Sequence, residues 1–185
     1  MEGLLAYKDK FPQLGENVYI APGAWVIGDV VLGNHTSVWF HTVIRGDVHF
    51  IRVGDETNIQ DHSTLHVTTD RFPLNIGSRV TIGHRAVVHG CTIEDECLIG
   101  MGAVIMDGAY IESHCVIAGG AVVTPGTRVP AGSLVTGVPA KVQRKLEDRE
   151  IEWIVHTAKH YVRLAAEYMK PRYFEKDRPV RGFLR

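Results

Sequence analysis

The chain has 185 residues, of which 45% are hydrophobic and only 8% aromatic, so we expect a core of aliphatic side chains. Its 20 Lys and Arg against 21 Asp and Glu leave a formal net charge of -1, which argues against an electrostatic grip on nucleic acid. The first ten residues lack the apolar run of a signal peptide, and no membrane-length apolar stretch occurs. The sequence therefore predicts a cytoplasmic protein with neither a nucleic-acid nor a membrane partner.

An aliphatic residue recurs about every six positions over most of the chain, and a small residue follows four positions after it. The large residues are Ile20, Val26, Leu32, Val38, Ile44, Val53, Ile59, Leu65, Ile76 and Ile82, and after a one-residue slip at Val87 they continue as Ile93, Ile99, Ile105, Ile111, Ile117, Val123, Val129 and Val135. One large and one small inward residue per hexad fill the narrow prism of a parallel β-helix with three hexads per coil. Residues 20–140 then supply about seven coils stacked at ~4.8 Å. A β-sandwich would instead show turns every 8–12 residues.

Beyond Pro139 the period becomes helical, and Pro171 ends the pattern. One apolar stripe is formed by Ile151, Ile154, Val155, Ala158, Tyr161, Val162, Ala165, Tyr168 and Met169. We therefore predict an all-β domain, a parallel β-helix, at residues 1–145. A C-terminal α-helix at 146–170 would pack along it, and a charged tail would follow at 171–185. The three cysteines, Cys91, Cys97 and Cys115, lack CxxC spacing and are predicted to be reduced interior residues.

Two irregularities, at residues 45–52 and 67–75, break the hexad count and are expected to form loops, where functional side chains concentrate. Counting through them assigns the large residues to three faces: Ile44, Leu65 and Val87 to face one, Val53 and Ile76 to face two, and Ile59 and Ile82 to face three. Polar residues then fall into two groups, with Arg45, His66 and His89 on face one and Gln60, Asp61 and His84 on face three.

The histidines of face one are placed to share a metal ion. His66 and His89 lie on adjacent coils, about 5 Å apart at the backbone, so both imidazoles can reach one ion. His84 lies on another face, but a three-fold symmetric trimer can bring face three of one subunit against face one of the next. Three imidazoles with an open fourth position form the arrangement of a catalytic zinc ion.

Four segments together resemble the gamma-class carbonic anhydrase family of hexapeptide-repeat proteins: residues 43–47 (VIRGD), 58–61 (NIQD), 65–67 (LHV) and 82–91 (IGHRAVVHGC). The resemblance covers nearly the whole chain. It implies a left-handed parallel β-helix, a homotrimer, and reversible CO2 hydration by a metal-bound hydroxide at three interfacial sites. Each site would use His66 and His89 of one subunit and His84 of another.

The resemblance also implies roles for other side chains. Gln60 would orient the reactive oxygen, Asp61 and Asn58 would line the pocket, and Arg45 would pair with Asp47 to tie the interface. A plain subunit salt bridge is an equally weighted interpretation for Arg45, Asp47 and Asp61. Zn2+ is the expected cofactor, although a three-imidazole site also suits Co2+ and Fe2+.

Two acidic positions of the family's fully active pattern are missing. Val48 stands where a glutamate follows the Arg-Gly-Asp run, and the loop at 68–75 has only Asp70 where a second glutamate shuttles protons. Since fast hydration must move a proton to bulk buffer, we expect a slow enzyme. Tyr161 on the helix, or His49 and His62 near the pocket, are candidate replacements.

Two other functions compete with this interpretation. Residues 135–141 (VTGVPAK) resemble the tail of hexapeptide acetyltransferases, which favours a CoA-dependent acyltransferase or acyl-CoA thioesterase. Such enzymes need a catalytic histidine but not three at metal spacing. A non-catalytic, metal-binding scaffold subunit is the third hypothesis, because the missing acids permit it.

Overall fold

A computed structural model describes residues 3–170, so the tail predicted at 171–185 lies outside the described residues. Short strands follow one another along the described chain until a single helix. They are β1 Leu4–Leu5, β2 Gln13–Leu14, β3 Tyr19–Ile20, β4 Trp25–Leu32, β5 Ser37–Val38, β6 Val43–Val53, β7 Asn58–Ile59, β8 Thr64–His66, β9 Leu74–Ile76, β10 Thr81–Ile82, β11 Val87–His89, β12 Thr92–Ile93, β13 Leu98–Ile99, β14 Val104–Ile105, β15 Tyr110–Ile111, β16 Val116–Ile117, β17 Val122–Val123, β18 Arg128–Val129, β19 Ser133–Thr136 and β20 Lys141–Lys145, and the helix α1 spans Asp148–Tyr168.

These strands stack as a parallel β-solenoid of about seven turns, as predicted. The register confirms the three faces: β6 pairs β8 on face one, β6 pairs β9 on face two, and β7 pairs β10 on face three. Faces one and two form one sheet because β4 and β6 are long enough to run around the corner between them, whereas face three is a separate sheet.

One assignment on face one is wrong by a single residue. The residue opposite Leu65 is Val88, which is fully buried, whereas Val87 is opposite Thr64 and is 37% exposed. The hexad count placed the slip at Val87, but the shortened spacing lies after Val88, in the corner that contains Gly90. His89 keeps its predicted place because β11 includes it, in register with His66.

The interior alternates large aliphatic residues with small ones, as the hexads predict. Ile99, Ile105 and Ile117 are fully buried, and so are the small residues between them. All three cysteines are free and buried, which confirms them as small core residues. Cys97 and Cys115 occupy equivalent positions one coil apart, since the backbone N–H of Cys115 points at the Sγ atom of Cys97 over 3.5 Å.

We expect the variant Cys97→Phe to destabilise the solenoid by about 1–3 kcal/mol, because a ring cannot fit the position without displacing its neighbours. The side chain of Cys97 is fully buried, and its Sγ donates to the carbonyl of Glu112 over 3.3 Å. Urea unfolding at a fixed protein concentration measures the loss. The control Leu5→Phe introduces the same ring at a 49% exposed position and should stay within about 0.5 kcal/mol of the parent. Equal stability of both variants would contradict the packing argument.

The solenoid begins earlier than the sequence pattern predicted. β1 and β2 both pair with β4, and Leu4 and Leu14 pack against the core before the period starts at Ile20. The pattern hides this part because extra residues between the two strands form a small bridge from Tyr7 to Lys10. At the other end β20 returns antiparallel onto β19, so residues 137–140, inside the segment 135–141, form the turn that closes the last coil.

Helix α1 packs on face three, against β5, β7 and β10. Its buried residues Ile154, Ala158 and Ala165 lie on the predicted stripe, whereas Met169 at the helix end is 42% exposed. Around Ala165 the helix contributes to a second, aromatic cluster formed with Tyr19, Trp39, Phe40, Tyr161, Leu164 and Tyr168. No helix within residues 3–170 combines the length and apolar character that crossing a membrane requires.

Glu150 at the start of α1 should make helix docking depend on pH. Arg144 donates two hydrogen bonds to its carboxylate at 2.7 and 2.8 Å, and the backbone N–H of Glu147 donates a third at 2.8 Å. These bonds lower the pKa of Glu150 from 4.5 to about 2. A lowered carboxyl pKa stabilises the fold above the unfolded-state value, and this stabilisation is lost as the pH falls from about 4.5 towards 2.

The measurement is the melting temperature of the parent and of Glu150→Gln across this pH range. We expect the parent to melt higher at pH 7 and the difference to close as the pH approaches 2, since the carboxyl group is then neutral in both proteins. Glu152→Gln, a change at an exposed glutamate of the same helix, is the control. A difference that stays constant with pH would rule out the Glu150 carboxylate as its source.

Candidate metal centre

Two histidines end adjacent strands of face one and face each other. His66 closes β8, His89 closes β11, and the register sets them side by side. The Nδ1 atom of His66 lies 3.1 Å from the Nε2 atom of His89. Both side chains are partly exposed at the surface of the single chain. The predicted pairing of these two histidines is therefore present in the structure.

The far nitrogen of each ring contacts a carboxylate. Nε2 of His66 lies 3.0 Å from Oδ1 of Asp47, and Nδ1 of His89 lies 2.5 Å from Oδ1 of Asp107. Asp47 also pairs with Arg45, as predicted, but within one chain. Burial alone would raise the pKa of both carboxyl groups. Hydrogen bonds from His66 and Arg45 to Asp47, and from His89 and Thr68 to Asp107, outweigh burial, so both pKa values lie below their ordinary value.

The chemistry of this pair fits a metal ion. An ionised carboxylate can only accept hydrogen bonds, so His66 donates through Nε2 and His89 donates through Nδ1. When both rings are neutral, the two nitrogens that face each other at 3.1 Å carry no hydrogen, so each has a lone pair to offer to one ion. A cation shared between these two lone pairs would remove their mutual repulsion. Imidazoles whose far N–H is held by a carboxylate are the usual metal-binding arrangement of histidine.

A second polar group lies on face three, where β7 and β10 pair. Nδ1 of His84 is 2.7 Å from Oδ2 of Asp61, and the backbone N–H of His84 donates to Oε1 of Gln60 over 3.2 Å. The amide of Gln60 donates to Oδ1 of Asn58 over 3.2 Å, and Asn58 in turn donates to Oγ1 of Thr81 over 2.9 Å. Asn58 and Gln60 are buried, so this chain of bonds fixes the orientation of both amides.

The structure keeps the third histidine apart from the first two within one chain. His84 follows β10 in the sheet of face three, whereas His66 and His89 belong to the other sheet. Within residues 3–170 no three His, Cys, Asp or Glu side chains are grouped closely enough to hold a metal. A single chain therefore offers two imidazoles on one face and one on another, so a site that uses all three would need more than one chain.

The candidate proton carriers lie in different surroundings. Tyr161 packs edge-on against Trp39 with ring centroids 5.4 Å apart, and burial together with the charge of Asp61 raises its pKa. His62 is exposed and stacks on His41. His49 accepts a hydrogen bond from the backbone N–H of the next residue at its Nδ1 atom and lines a cavity of about 270 Å³ together with Asp47.

Asp107 and Thr68 belong to this centre and were not predicted from the sequence. Oγ1 of Thr68 donates to Oδ2 of Asp107 over 2.8 Å, on the side opposite His89. The slip in the hexad count does mark the shortened corner at Gly90. It does not show which residue of the next coil that corner brings to His89.

The stacked hexads and the two polar faces define a hexapeptide-repeat β-solenoid with a histidine centre. A family model described as bacterial transferase hexapeptide (six repeats) matches residues 74–106 and 90–125. The chain is 47% identical over 162 residues to gamma carbonic anhydrase 2, mitochondrial, of Arabidopsis thaliana, covering 85% of this chain and 58% of that protein's length. It is 44% identical to a carbonic anhydrase of Geobacillus kaustophilus, covering 88% of each chain.

A solved structure shares the architecture. The crystal structure of a hexapeptide transferase family protein from Anaplasma phagocytophilum superposes with a TM-score of 0.86 at 38% identity, and the match covers 91% of this chain and 99% of that one. The chain belongs to the gamma carbonic anhydrase family.

Proposed function

We propose that this protein is a metal-dependent gamma-type carbonic anhydrase, a lyase that reversibly hydrates CO2 to bicarbonate and a proton. The observation that carries the proposal is the pair of facing nitrogens on His66 and His89, each ring being held by a carboxylate. These two rings and His84 of a neighbouring subunit would hold the ion. Zn2+ held there would supply a water whose pKa is lowered to about 7. Zn2+ is the metal we propose, and Co2+ or Fe2+ would suit the same ligands.

A homotrimer is proposed because face one carries an apolar surface that α1 does not cover. A column of outward residues, stacked in register beside the two histidines, is apolar except for one threonine. It consists of Trp25, Val43, Thr64, Val87, Val104 and Val122. Trp25 is 44% exposed and Val87 37% exposed on the single chain. An exposed apolar surface of this kind is typical of a protein–protein interface, and a second copy of the chain would bring the missing histidine with it.

The fixed amides of face three would orient the reacting groups. Gln60 is held on both sides, by the backbone of His84 and by Asn58, so its polar atoms cannot turn freely. A group held in this way can direct a reacting oxygen without reorganising during the reaction. Asp61 holds the His84 ring through Nδ1, which leaves Nε2 of that ring for the metal.

Turnover should be limited by the proton that must leave the site. Val48 stands where the resemblance expects a glutamate, and the loop at 68–75 has only Asp70 where the resemblance expects a second, proton-shuttling glutamate. Tyr161 is a poor proton carrier at neutral pH, because its phenol stays protonated there and its raised pKa makes it a still weaker acid. The remaining candidate proton carriers are His49 and His62, and dissolved buffer would accept many of the released protons.

The cytoplasmic location expected from the sequence also stays a prediction.

The test of this function is CO2 hydration by stopped flow on metal-loaded protein, beside acyl-CoA hydrolysis and acetyl transfer on the same sample. Metal-dependent hydration without acyl chemistry would support the proposal. Acyl-CoA turnover without hydration would favour the transferase or thioesterase. Metal binding with neither activity would identify a scaffold subunit instead.

We expect Gln60→Ala to keep its metal and to lose hydration by about 10–100-fold, the usual effect of removing a group that orients a metal site. Stopped-flow rates and metal content on the same preparation separate the two effects. Thr81→Ala removes the far end of the same hydrogen-bond chain and is the milder comparison. Parallel loss of metal and rate in Gln60→Ala would show that the residue holds the ion's ligands rather than the reacting oxygen.

A further inference from the structure

The corner that follows His89 is built to bring a carboxylate against the ring. From Val88 to the next inward aliphatic residue, Ile93, there are five positions, one fewer than from Ile105 to Ile111 one coil later. Gly90 turns this shortened corner with a φ of 49°. A Cβ atom at Gly90 would collide with Oδ1 of Asp107, so only glycine lets that carboxylate approach so closely.

Asp107 is then fixed from two sides. One carboxylate oxygen contacts Nδ1 of His89 at 2.5 Å, and the other accepts from the hydroxyl of Thr68 over 2.8 Å. Thr68 opens a short loop that is closed by its backbone bridge to Phe72. Phe72 packs beside Gly90 at the same corner. The carboxylate therefore has little freedom to leave the ring.

We infer that Asp107 is a positioning residue for His89, and that Thr68 fixes Asp107 in turn. By accepting from Nδ1, the carboxylate keeps the hydrogen of the neutral ring on that atom. The lone pair is thereby placed on Nε2, which faces Nδ1 of His66 at 3.1 Å. The inference rests on the proposed function where it concerns metal. Its consequence is that metal affinity depends on a residue one coil beyond His89 and two coils beyond His66.

The first test is the variant Asp107→Asn. Its affinity for Zn2+ is measured by competition with a Zn2+ chelator, beside that of the parent protein. The amide can present its NH2 group to Nδ1, which favours the tautomer with hydrogen on Nε2 and blocks the nitrogen that faces His66. We expect Zn2+ to bind about 10–100-fold more weakly. Thr68→Val, which keeps the side-chain shape but loses the donor, should weaken binding in the same direction by a smaller factor.

Asp95→Asn is a matched control. Asp95 lies at another corner of the solenoid, and its Oδ1 atom also approaches a glycine, Gly77, where a Cβ would collide with it. Its carboxylate accepts from the backbone N–H of Ser78 over 2.8 Å, a contact within its own corner. We expect this variant to bind Zn2+ like the parent. Weaker binding in both variants would instead indicate a general effect of losing a corner carboxylate.

A second readout does not require metal. In metal-free protein labelled with 15N-histidine, long-range 15N–1H spectra report which ring nitrogen carries the hydrogen, and His89→Gln assigns the signal. We expect His89 to carry it on Nδ1 in the parent and in Asp95→Asn, and on Nε2 in Asp107→Asn. In Co2+-loaded protein the visible spectrum should change only for Asp107→Asn and Thr68→Val.

The outcomes separate this inference from the proposed function. Unchanged Zn2+ affinity and an unchanged tautomer in Asp107→Asn would overturn the inference while leaving the hydratase intact. If the parent binds no metal, the proposed function fails and the tautomer alone decides whether Asp107 positions the ring. If Asp107→Asn fails to fold, Thr68→Val takes its place, and parent-like affinity and Co2+ spectrum in that variant would count against the inference.

Discussion

Replacing His84 by alanine is expected to abolish stoichiometric metal binding and CO2 hydration while leaving the solenoid folded. The side chain is 42% exposed on the single chain and makes no contribution to the interior, so unfolding should change by less than about 0.5 kcal/mol. Its role would be to complete the ligand set. Since loss of an outer partner alone costs about 10–100-fold in affinity, loss of a direct ligand should cost more than 100-fold.

The measurement is metal content after dialysis, together with stopped-flow hydration and the thermal unfolding curve. His114→Ala is a close control, because His114 is also 42% exposed and pairs with a single carboxylate, Glu96, at another corner of the solenoid. Sedimentation of both variants checks that the trimer is intact. Full metal occupancy in His84→Ala trimers would exclude His84 as a ligand.

Mixing two inactive variants is expected to restore activity if each site is shared between subunits. Chains with His66→Ala still offer His84, and chains with His84→Ala still offer the other two ligands. Every mixed trimer then contains one interface at which an intact face one meets an intact His84. In a statistical one-to-one mixture, refolded together, about a quarter of the parent's sites should return.

The control mixes His66→Ala with His89→Ala. Both changes damage the same contributing face, so no arrangement of those two chains restores a site. Metal content and hydration rates of the two mixtures decide the question. Differently tagged chains show that mixed trimers have formed. Equal absence of recovery in both would mean that each site draws its ligands differently and that the shared site proposed between faces one and three is wrong.

The architecture of this protein could be predicted from the sequence because its core is periodic. Every hexad must place one large and one small side chain inside a narrow prism, so the hexads repeat in the sequence itself. The pairing of His66 with His89 followed from counting, since adjacent coils align residues by register. The same counting separated His84 from that pair. The helix on face three was visible in its apolar spacing.

Counting failed where the coil length varied or where the chain left the repeat. Val88, rather than Val87, faces the interior because the shortened spacing lies at the corner and not in the strand. The first coil, with Leu4 and Leu14, escaped notice because a small bridge interrupts its period. A coil that is one residue shorter keeps almost the same aliphatic pattern. The side chains in its shortened corner, however, all change position.

The sequence by itself determined most of the residues that line the prism, the face that each histidine occupies and the family that the chain resembles, because each of these depends on local spacing or on short motifs. Only the tertiary structure decided that Asp47 and Asp107 hold the far nitrogens of the two imidazoles, and that Thr68 holds Asp107. Those contacts join residues 19, 18 and 39 positions apart. Side-chain direction at a corner depends on how neighbouring coils pack, and no repeat in the sequence encodes it.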